Sequence, residues 1–353
     1  MERRDYFVRE RGEEKEEQKK GSMNYVGHLS KSDPLYEYLS CEIMPKTGGG
    51  GGEGFRVFAN SSSHTVYIYE DRESGRRVVG KFFAAGERDR EKAKRKMYRE
   101  YNNIEEFRRY LGPEHYAARA LGCREDLDCL LVTEFCYGEA LDSVIMRAIN
   151  CGERELLFRK LTAMGYFLAT VHNHSARPVM VDFHRVADYF DNIIFQLRER
   201  LSSREEKFFR RCSANCRKNP LFYQDQEVLV HGDATPANFL FGSRNYVITF
   251  DLERMQKSDR MFDTGRLAGE LKHFFLRYTG NKYAAEPFIG HFLWEYAAVF
   301  PDQYRAFVSI TARLPFYMAM TLLRIARNSY LPEEYRQSLI SEAVLTLDQP
   351  FSK

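Results

Sequence analysis

The stretch VLVHGDATPANFLFGSRNYVITFDLERM, residues 228–255, holds the residue types that a phosphoryl-transfer centre requires. An apolar strand, EVLV, delivers His231, Gly232 and Asp233. Asn238 stands five residues beyond Asp233. A second apolar strand, YVITF, ends on Asp251, with Glu253 two residues further on. Two strands with Asp, Asn and Asp at their mouths bring three oxygen ligands or bases toward one point. Phosphoryl transfer needs a carboxylate to orient the attacking hydroxyl and accept its proton. It also needs hard oxygen ligands to hold magnesium against the β- and γ-phosphates. A single aspartate at a strand end is most often a cap or turn former. The joint spacing of Asp233, Asn238 and Asp251 between apolar strands is what points to chemistry.

The same chemistry calls for a lysine on the α- and β-phosphates, and SGRRVVGKFF, residues 74–83, supplies one. From Gly75 to Lys81 it spells G-x-x-x-x-G-K, one residue short of a P-loop. The P-loop reading fails on two counts. Phe82 and Phe83 stand where a magnesium-binding Ser or Thr belongs, and the β-branched and aromatic flanks predict a strand rather than a loop. Lys81 is therefore expected on a third strand, ahead of the charged helical stretch ERDREKAKRKMYREYNNIEEFRRYLG. Four glutamates of that stretch, Glu91, Glu100, Glu105 and Glu106, are candidates for a helical partner of this lysine.

The elements that must position these residues follow from pattern. Residues 1–22 are almost all charged or polar and read as a disordered or loosely helical tail. NYVGHLSKSDPLYEYLSCEIM is expected to pack as a short helix, and GGGGGEG at 48–54 to act as a flexible linker. From Phe55, FRVFAN, TVYIYED and RRVVGKFF predict a three-stranded antiparallel meander. The long helix and two further strands, ARALGCRE and DCLLVTEF, come next. The rest predicts helices over 153–175, 183–211, 263–279, 284–299 and 302–328, interrupted by the strand–loop–strand element at 227–252. The expected domains are an extension with linker at 1–54, a small nucleotide-binding lobe at 55–136, and a catalytic, acceptor-binding lobe at 137–353.

Composition bounds the rest. The chain of 353 residues is 44% hydrophobic and 29% charged, which suits a folded core in one large domain or two lobes. A net charge of +3 gives no general argument for a nucleic-acid partner. The nine Lys and Arg between 88 and 109 are interleaved with acids and read as a solvated helix face. The seven cysteines lack paired CxxC spacing, so reduced thiols are expected rather than disulfides or zinc. No apolar run is expected to span a bilayer, and the charged N-terminus does not read as a signal peptide. A cytoplasmic location is the expectation.

The pattern H-G-D-x-x-x-x-N, followed by a strand ending in D-x-[DE], resembles the aminoglycoside/choline phosphotransferase superfamily of small-molecule kinases. MGYFLATVHNHS at 164–175, DRMFDTGRLAGEL at 259–271 and the hinge-like VTEFCYGEAL agree with it. The resemblance implies an α+β, two-lobed protein-kinase-like fold: a small antiparallel β-sheet lobe with one long helix, and a larger, mainly helical lobe. It implies that Asp233 is catalytic, that Asn238 and Asp251 bind Mg2+, and that Lys81 binds the α/β-phosphates with Glu100 as its partner. Backbone near Glu134 and Cys136 would meet the adenine. His231 would brace the loop, and Glu253 would contact a second metal or the acceptor. The loop ANSSSHTVY lacks the glycines that protein kinases use over the phosphates, so Ser61, Ser62 and Ser63 would donate there instead.

The implied function is phosphoryl transfer from ATP, or GTP, to a hydroxyl of a small molecule such as an amino sugar, sugar or amino alcohol. The competing readings are a nucleotide-binding regulatory pseudokinase, or a kinase of a protein or lipid-linked sugar. The helices expected to line the acceptor site carry both signs, Asp259, Asp263 and Glu270 against Arg260, Arg266, Lys272 and Arg277. Acids with aromatics would suit a cationic acceptor, and the basic members an anionic one. His172 reads as a core histidine.

Overall fold

The computed structural model describes residues 7–8, 23–60, 65–242 and 245–348. Contacts divide the chain into two units, residues 1–106 with 117–137, and residues 107–116 with 138–353.

The first unit is built on a seven-stranded antiparallel sheet. Its strands are β1 (Phe7–Val8), β2 (Met23–Leu29), β3 (Phe55–Asn60), β4 (Val66–Asp71) and β5 (Arg77–Phe82). A short helix α1 (Pro34–Tyr38) follows β2, and the long helix α2 (Arg90–Arg108) follows β5. After β6 (His115–Ala117), strands β7 (Ala120–Arg124) and β8 (Leu130–Glu134) complete the sheet in the order β1-β2-β3-β4-β5-β8-β7. Gly80 and Lys81 lie inside β5, paired with Tyr67 and Val66 of β4 and with Val132 and Leu131 of β8.

Residues 23–54 correct the expectation of a flexible extension. Met23–Leu29 is a strand of this sheet rather than part of a helix, and it pairs with β3. Only the second half of that segment turns helical. Leu29, Leu35, Tyr38, Leu39, Ile43 and Met44 are buried with Phe55, Val57 and Val78 in one cluster. Each such side chain removed from water contributes roughly 1.5–3 kcal/mol. The glycine run is likewise a pinned turn inside this unit. Asp71 accepts the Gly50 N–H at 3.3 Å, and the Tyr36 hydroxyl donates to the Gly51 carbonyl at 3.0 Å. The tail expected at 1–22 lies outside the described residues except for β1.

In the second unit, β9 (Glu139–Ala140) leads into helices α3 (Leu141–Asn150), α4 (Arg154–His174), α5 (Phe183–Leu197) and α6 (Ser203–Lys218). The helix expected over 183–211 is therefore two. Ser202 accepts the Glu205 N–H while the Glu205 carboxylate accepts the Ser202 N–H, a capping box that starts α6 afresh. Then come β10 (Val228–Val230), β11 (Phe239–Phe241), β12 (Val247–Thr249) and β13 (Gln256–Ser258), followed by α7 (Met261–Thr279), α8 (Glu286–Ala297), α9 (Gln303–Ala326) and α10 (Glu333–Leu347). Strand β10 pairs with β13, and β11 with β12.

Helices α7 and α9 cross closely at two glycines of α7. A methyl group added at Gly265 would overlap Tyr317 Cβ, and one at Gly269 would lie 2.6 Å from Thr321 Cβ. By length and composition α9 could cross a bilayer, contrary to expectation, yet 56% of its most apolar stretch is buried in the fold. It also carries the buried Arg313, whose guanidinium meets Asp259 at 3.0 Å and Asp225 at 2.8 Å. The hydroxyl of Tyr317 donates to Asp259 at 2.8 Å, and Arg260 meets Asp225 at 2.9 Å. Asp259 and Arg260, expected at the acceptor site, belong instead to this buried network.

Candidate active site

Strand β10 is wholly buried and hands the chain to His231, Gly232 and Asp233. Helix α7 fixes the backbone of that loop. The Asp263 carboxylate accepts the N–H of His231 at 2.6 Å and of Gly232 at 3.0 Å. His172 orients this carboxylate, with Nε2 3.2 Å from it and Nδ1 2.8 Å from the Tyr296 hydroxyl. Burial holds His172 neutral against the pull of Asp263. A hydrogen on Nε2 satisfies both neighbours, the ring donating to Asp263 and accepting from Tyr296.

Gly232 adopts φ 79°, and a Cβ there would overlap the carbonyl oxygen of Arg254. Only glycine fits that turn. The ring of His231 ties the loop to the end of β12. Its Nε2 lies 3.1 Å from the Phe250 carbonyl and 2.9 Å from Thr249 Oγ1, while Nδ1 accepts the Asp233 N–H at 3.3 Å.

The β11–β12 hairpin puts Asn238 and Asp251 at adjoining strand ends, and the Asn238 carbonyl accepts the Phe250 N–H at 3.4 Å. The Asn238 amide donates to the Asp233 carbonyl at 2.9 Å, leaving Oδ1 as the atom of that side chain suited to a cation. Asp251 has φ 62°, a left-handed conformation that costs a non-glycine residue about 1 kcal/mol or more and is concentrated at functional sites. One carboxylate oxygen of Asp251 lies within 4.8 Å of one from Glu253. Two carboxylates and an amide oxygen form the hard donor set that magnesium prefers, so these residues fit that ion.

Asp233 itself is gripped by arginines. Its Oδ1 accepts from Arg324 at 2.8 Å and from Arg266 at 3.1 Å, and its Oδ2 lies 3.6 Å from Arg254 Nε. Burial alone would raise this carboxyl. Arg324, Arg266 and Arg254, helped by His231, outweigh it and hold the group below its ordinary value. Arg324 and Arg254 had no role in the sequence reading. Their signal was faint: Arg324 closes the last turn of an apolar helix, and Arg254 merely follows Glu253.

In the first unit Lys81 Nζ donates to Glu100 Oε2 at 2.8 Å, and the Glu100 side chain is only 4% exposed. Of the four candidate glutamates, Glu100 is the one that α2 turns onto β5. Glu134 closes β8, with Arg119 3.3 Å from its carboxylate, and Cys136 is half-buried just beyond. Ser61, Ser62 and Ser63 lie outside the described residues.

No curated protein matches the chain in sequence. The profile of the phosphotransferase enzyme family matches residues 54–298, well over half of the chain, and the chain belongs to that family. Its fold is that of several solved phosphotransferases. Against the ADP-bound aminoglycoside phosphotransferase APH(2'')-Ib the TM-score is 0.51 at 14% identity, covering 89% of this chain and 97% of that one. Against an ethanolamine kinase of Plasmodium vivax it is 0.55 at 12% identity, covering 90% and 88%. Against macrolide 2'-phosphotransferase type I it is 0.51 at 16% identity, covering 90% and 99%. The chain is thus an enzyme of phosphoryl transfer with an α+β, kinase-like fold.

Proposed function

We propose that this protein transfers the γ-phosphoryl group of a nucleoside triphosphate, ATP or GTP, to a hydroxyl of a small molecule. The observation that carries the reading is the loop of His231, Gly232 and Asp233. Asp263 and His231 tie that loop down, and the Asn238 amide bonds to the Asp233 carbonyl. The ADP named with one solved phosphotransferase of this fold supports a nucleotide donor.

In this reading the acceptor hydroxyl hydrogen-bonds to Asp233 Oδ2, since Oδ1 is already taken by two guanidinium groups. The hydroxyl oxygen forms the new bond to phosphorus. The bond to the β–γ bridging oxygen breaks, the nucleoside diphosphate leaves, and the hydroxyl proton passes to Asp233. A loose transition state asks for orientation more than for a strong base, so a carboxylate of lowered basicity suffices. Asn238 and Asp251, with Glu253 beside them, would hold magnesium, which when bound neutralises charge on the transferred group. Lys81, braced by Glu100, would pair with the α/β-phosphates in the same reaction, and the backbone at Glu134–Cys136 would meet the base.

The test is transfer of labelled γ-phosphate to a panel of sugars, amino alcohols and hydroxy acids, with Asp233→Asn alongside. The variant should lose at least about 10³-fold in kcat while retaining nucleotide affinity. Turnover unchanged in Asp233→Asn would remove this residue from the mechanism.

A further inference from the structure

The second unit holds a cavity of about 400 Å³ that reaches Thr235, Pro236 and Ala237, the residues next after the catalytic loop. That volume suits a small metabolite. Its walls carry five arginines, Arg254, Arg266, Arg277, Arg324 and Arg327, against two carboxylates, Asp142 and Glu270. The charge is not balanced locally. Arg266 and Arg324 share the single Oδ1 of Asp233. The Arg266 side chain is only 8% exposed, yet its buried Nε has no hydrogen-bond partner among the described residues, Glu270 being 3.4 Å away. Among the described residues, no carboxylate pairs with Arg277 or Arg327. Arg277 lies over the rings of Tyr278 and Tyr335, at 5.5 and 5.8 Å. Arg327 bonds to Gln196 and to the Arg324 carbonyl.

Gathering guanidinium groups in a partly desolvated wall costs energy through like-charge repulsion and lost hydration. The effect is visible in the groups themselves. Burial, with Arg324 and Arg254 adding to it, lowers the Arg327 guanidinium, and burial brings Arg266 down to about 10. An anion with several acceptor oxygens would offset both costs through charge-assisted, forked hydrogen bonds. A cationic amino sugar would be repelled by a wall of its own sign. Of the two carboxylates it could use, Glu270 is buried, raised by that burial, and already beside Arg266. The aromatic wall of Phe274 and Tyr278 does not reverse that balance.

We infer that the acceptor carries an anionic group, a phosphate monoester or a carboxylate, that seats against Arg277 and Arg327 while its hydroxyl reaches Asp233. The inference rests on the phosphotransferase reading and narrows its substrate class. The anion would also compete with Asp233 for Arg324 and Arg266, freeing the carboxylate as the acceptor arrives.

The test uses matched acceptors: glycerol against glycerol 3-phosphate and glycerate, and glucose against glucose 6-phosphate and gluconate, with an aminoglycoside as the cationic arm. The anionic members should exceed their neutral counterparts by at least about tenfold in kcat/KM, and the phosphate and carboxylate arms separate the two anions. Arg277→Ala and Arg327→Ala should each raise the acceptor KM by about tenfold while the nucleotide KM stays put. Preference for the neutral or cationic acceptors would overturn the inference and leave phosphoryl transfer standing. A readout independent of turnover is calorimetric binding of inorganic phosphate to the full chain. The wild type should bind it, and the folded Arg277→Ala, Arg327→Ala double variant should bind at least about tenfold more weakly. Equal binding by both, or none by the wild type at roughly tens of millimolar phosphate, would overturn it. Phosphate binding lost with the two arginines, without nucleotide-dependent transfer to any acceptor or to water, would support the anion site and sink the phosphotransferase reading.

Discussion

Asp263 accepts the backbone N–H of Gly232 at 3.0 Å, so a buried carboxylate on α7 joins Gly232 and His231 in fixing where Asp233 stands. Asp263→Asn keeps the shape but cannot accept both loop N–H groups and the His172 proton equally well. It should cost roughly 2–4 kcal/mol of stability and about 10²-fold in kcat, with nucleotide affinity little changed. Denaturant unfolding and steady-state kinetics check both. Gly232→Ala should abolish activity outright, whereas Gly280→Ala, also at positive φ but facing open space, should cost only about 1 kcal/mol.

The Lys81–Glu100 pair is testable by a double-mutant cycle. Lys81→Ala and Glu100→Ala should each weaken productive nucleotide use, and the double variant should be no worse than about the worse single one. The coupling expected from one shared contact at 2.8 Å is roughly 0.5–3 kcal/mol in kcat/KM for nucleotide. Strictly additive losses would mean that the two side chains act apart.

Arg313 serves the fold rather than the reaction. Its guanidinium satisfies Asp259 and Asp225 at once, both close to α7 in sequence or space. Arg313→Met would leave Asp225 to Arg260 and the buried Asp259 to the hydroxyl of Tyr317. The loss should be roughly 3–5 kcal/mol in unfolding free energy, and refilling with Lys should recover only part of it.

Acid should weaken the protein through His115. This side chain is buried, neither ring nitrogen has a hydrogen-bond partner among the described residues, and burial takes its pKa down to about 4. The unfolded chain therefore binds the proton first. The stabilisation is complete above the unfolded value near 6.5 and is lost progressively as the pH falls toward 4. His273, lowered to about 4 mainly by burial, adds a second proton with the same sign. Urea unfolding at pH 7 and pH 5 should show the decline, and His115→Phe should flatten it without removing the share of His273.

Much of the centre was legible because its residues are close in sequence. Asp233, Asn238 and Asp251 sit on one loop and one hairpin, where spacing and strand pattern nearly determine geometry. Lys81 could be read as a strand residue, since the flanks of Gly80 are β-branched. Its helical partner is read as Glu100 against three rival glutamates in the same helix region, and packing of α2 onto β5 makes that pair. Arg324 was illegible, and Arg266 could be placed only among the acceptor-site helices and not on Asp233, for a different reason. Arg266 and Arg324 arrive from helices 33 and 91 residues downstream, and helix crossing leaves no mark in local sequence. Asp263 was read as an acceptor contact, although its partners are backbone N–H groups that carry no residue identity. The segment at 23–47 was misjudged because a glycine run beside it suggested slack, while its leucines, tyrosine and methionine were core.

The tight crossing at Gly265 and Gly269 has an evolutionary reading. Arg266 and Arg324 flank it, so the gap between the two backbones that carry them is held by the contacts of these glycines with Tyr317 and Thr321. A lineage cannot retune that gap one substitution at a time, because any bulk at either glycine forces the whole pair of helices to shift. Taste for a particular acceptor would then be inherited as a block, travelling with the interior rather than drifting with the surface.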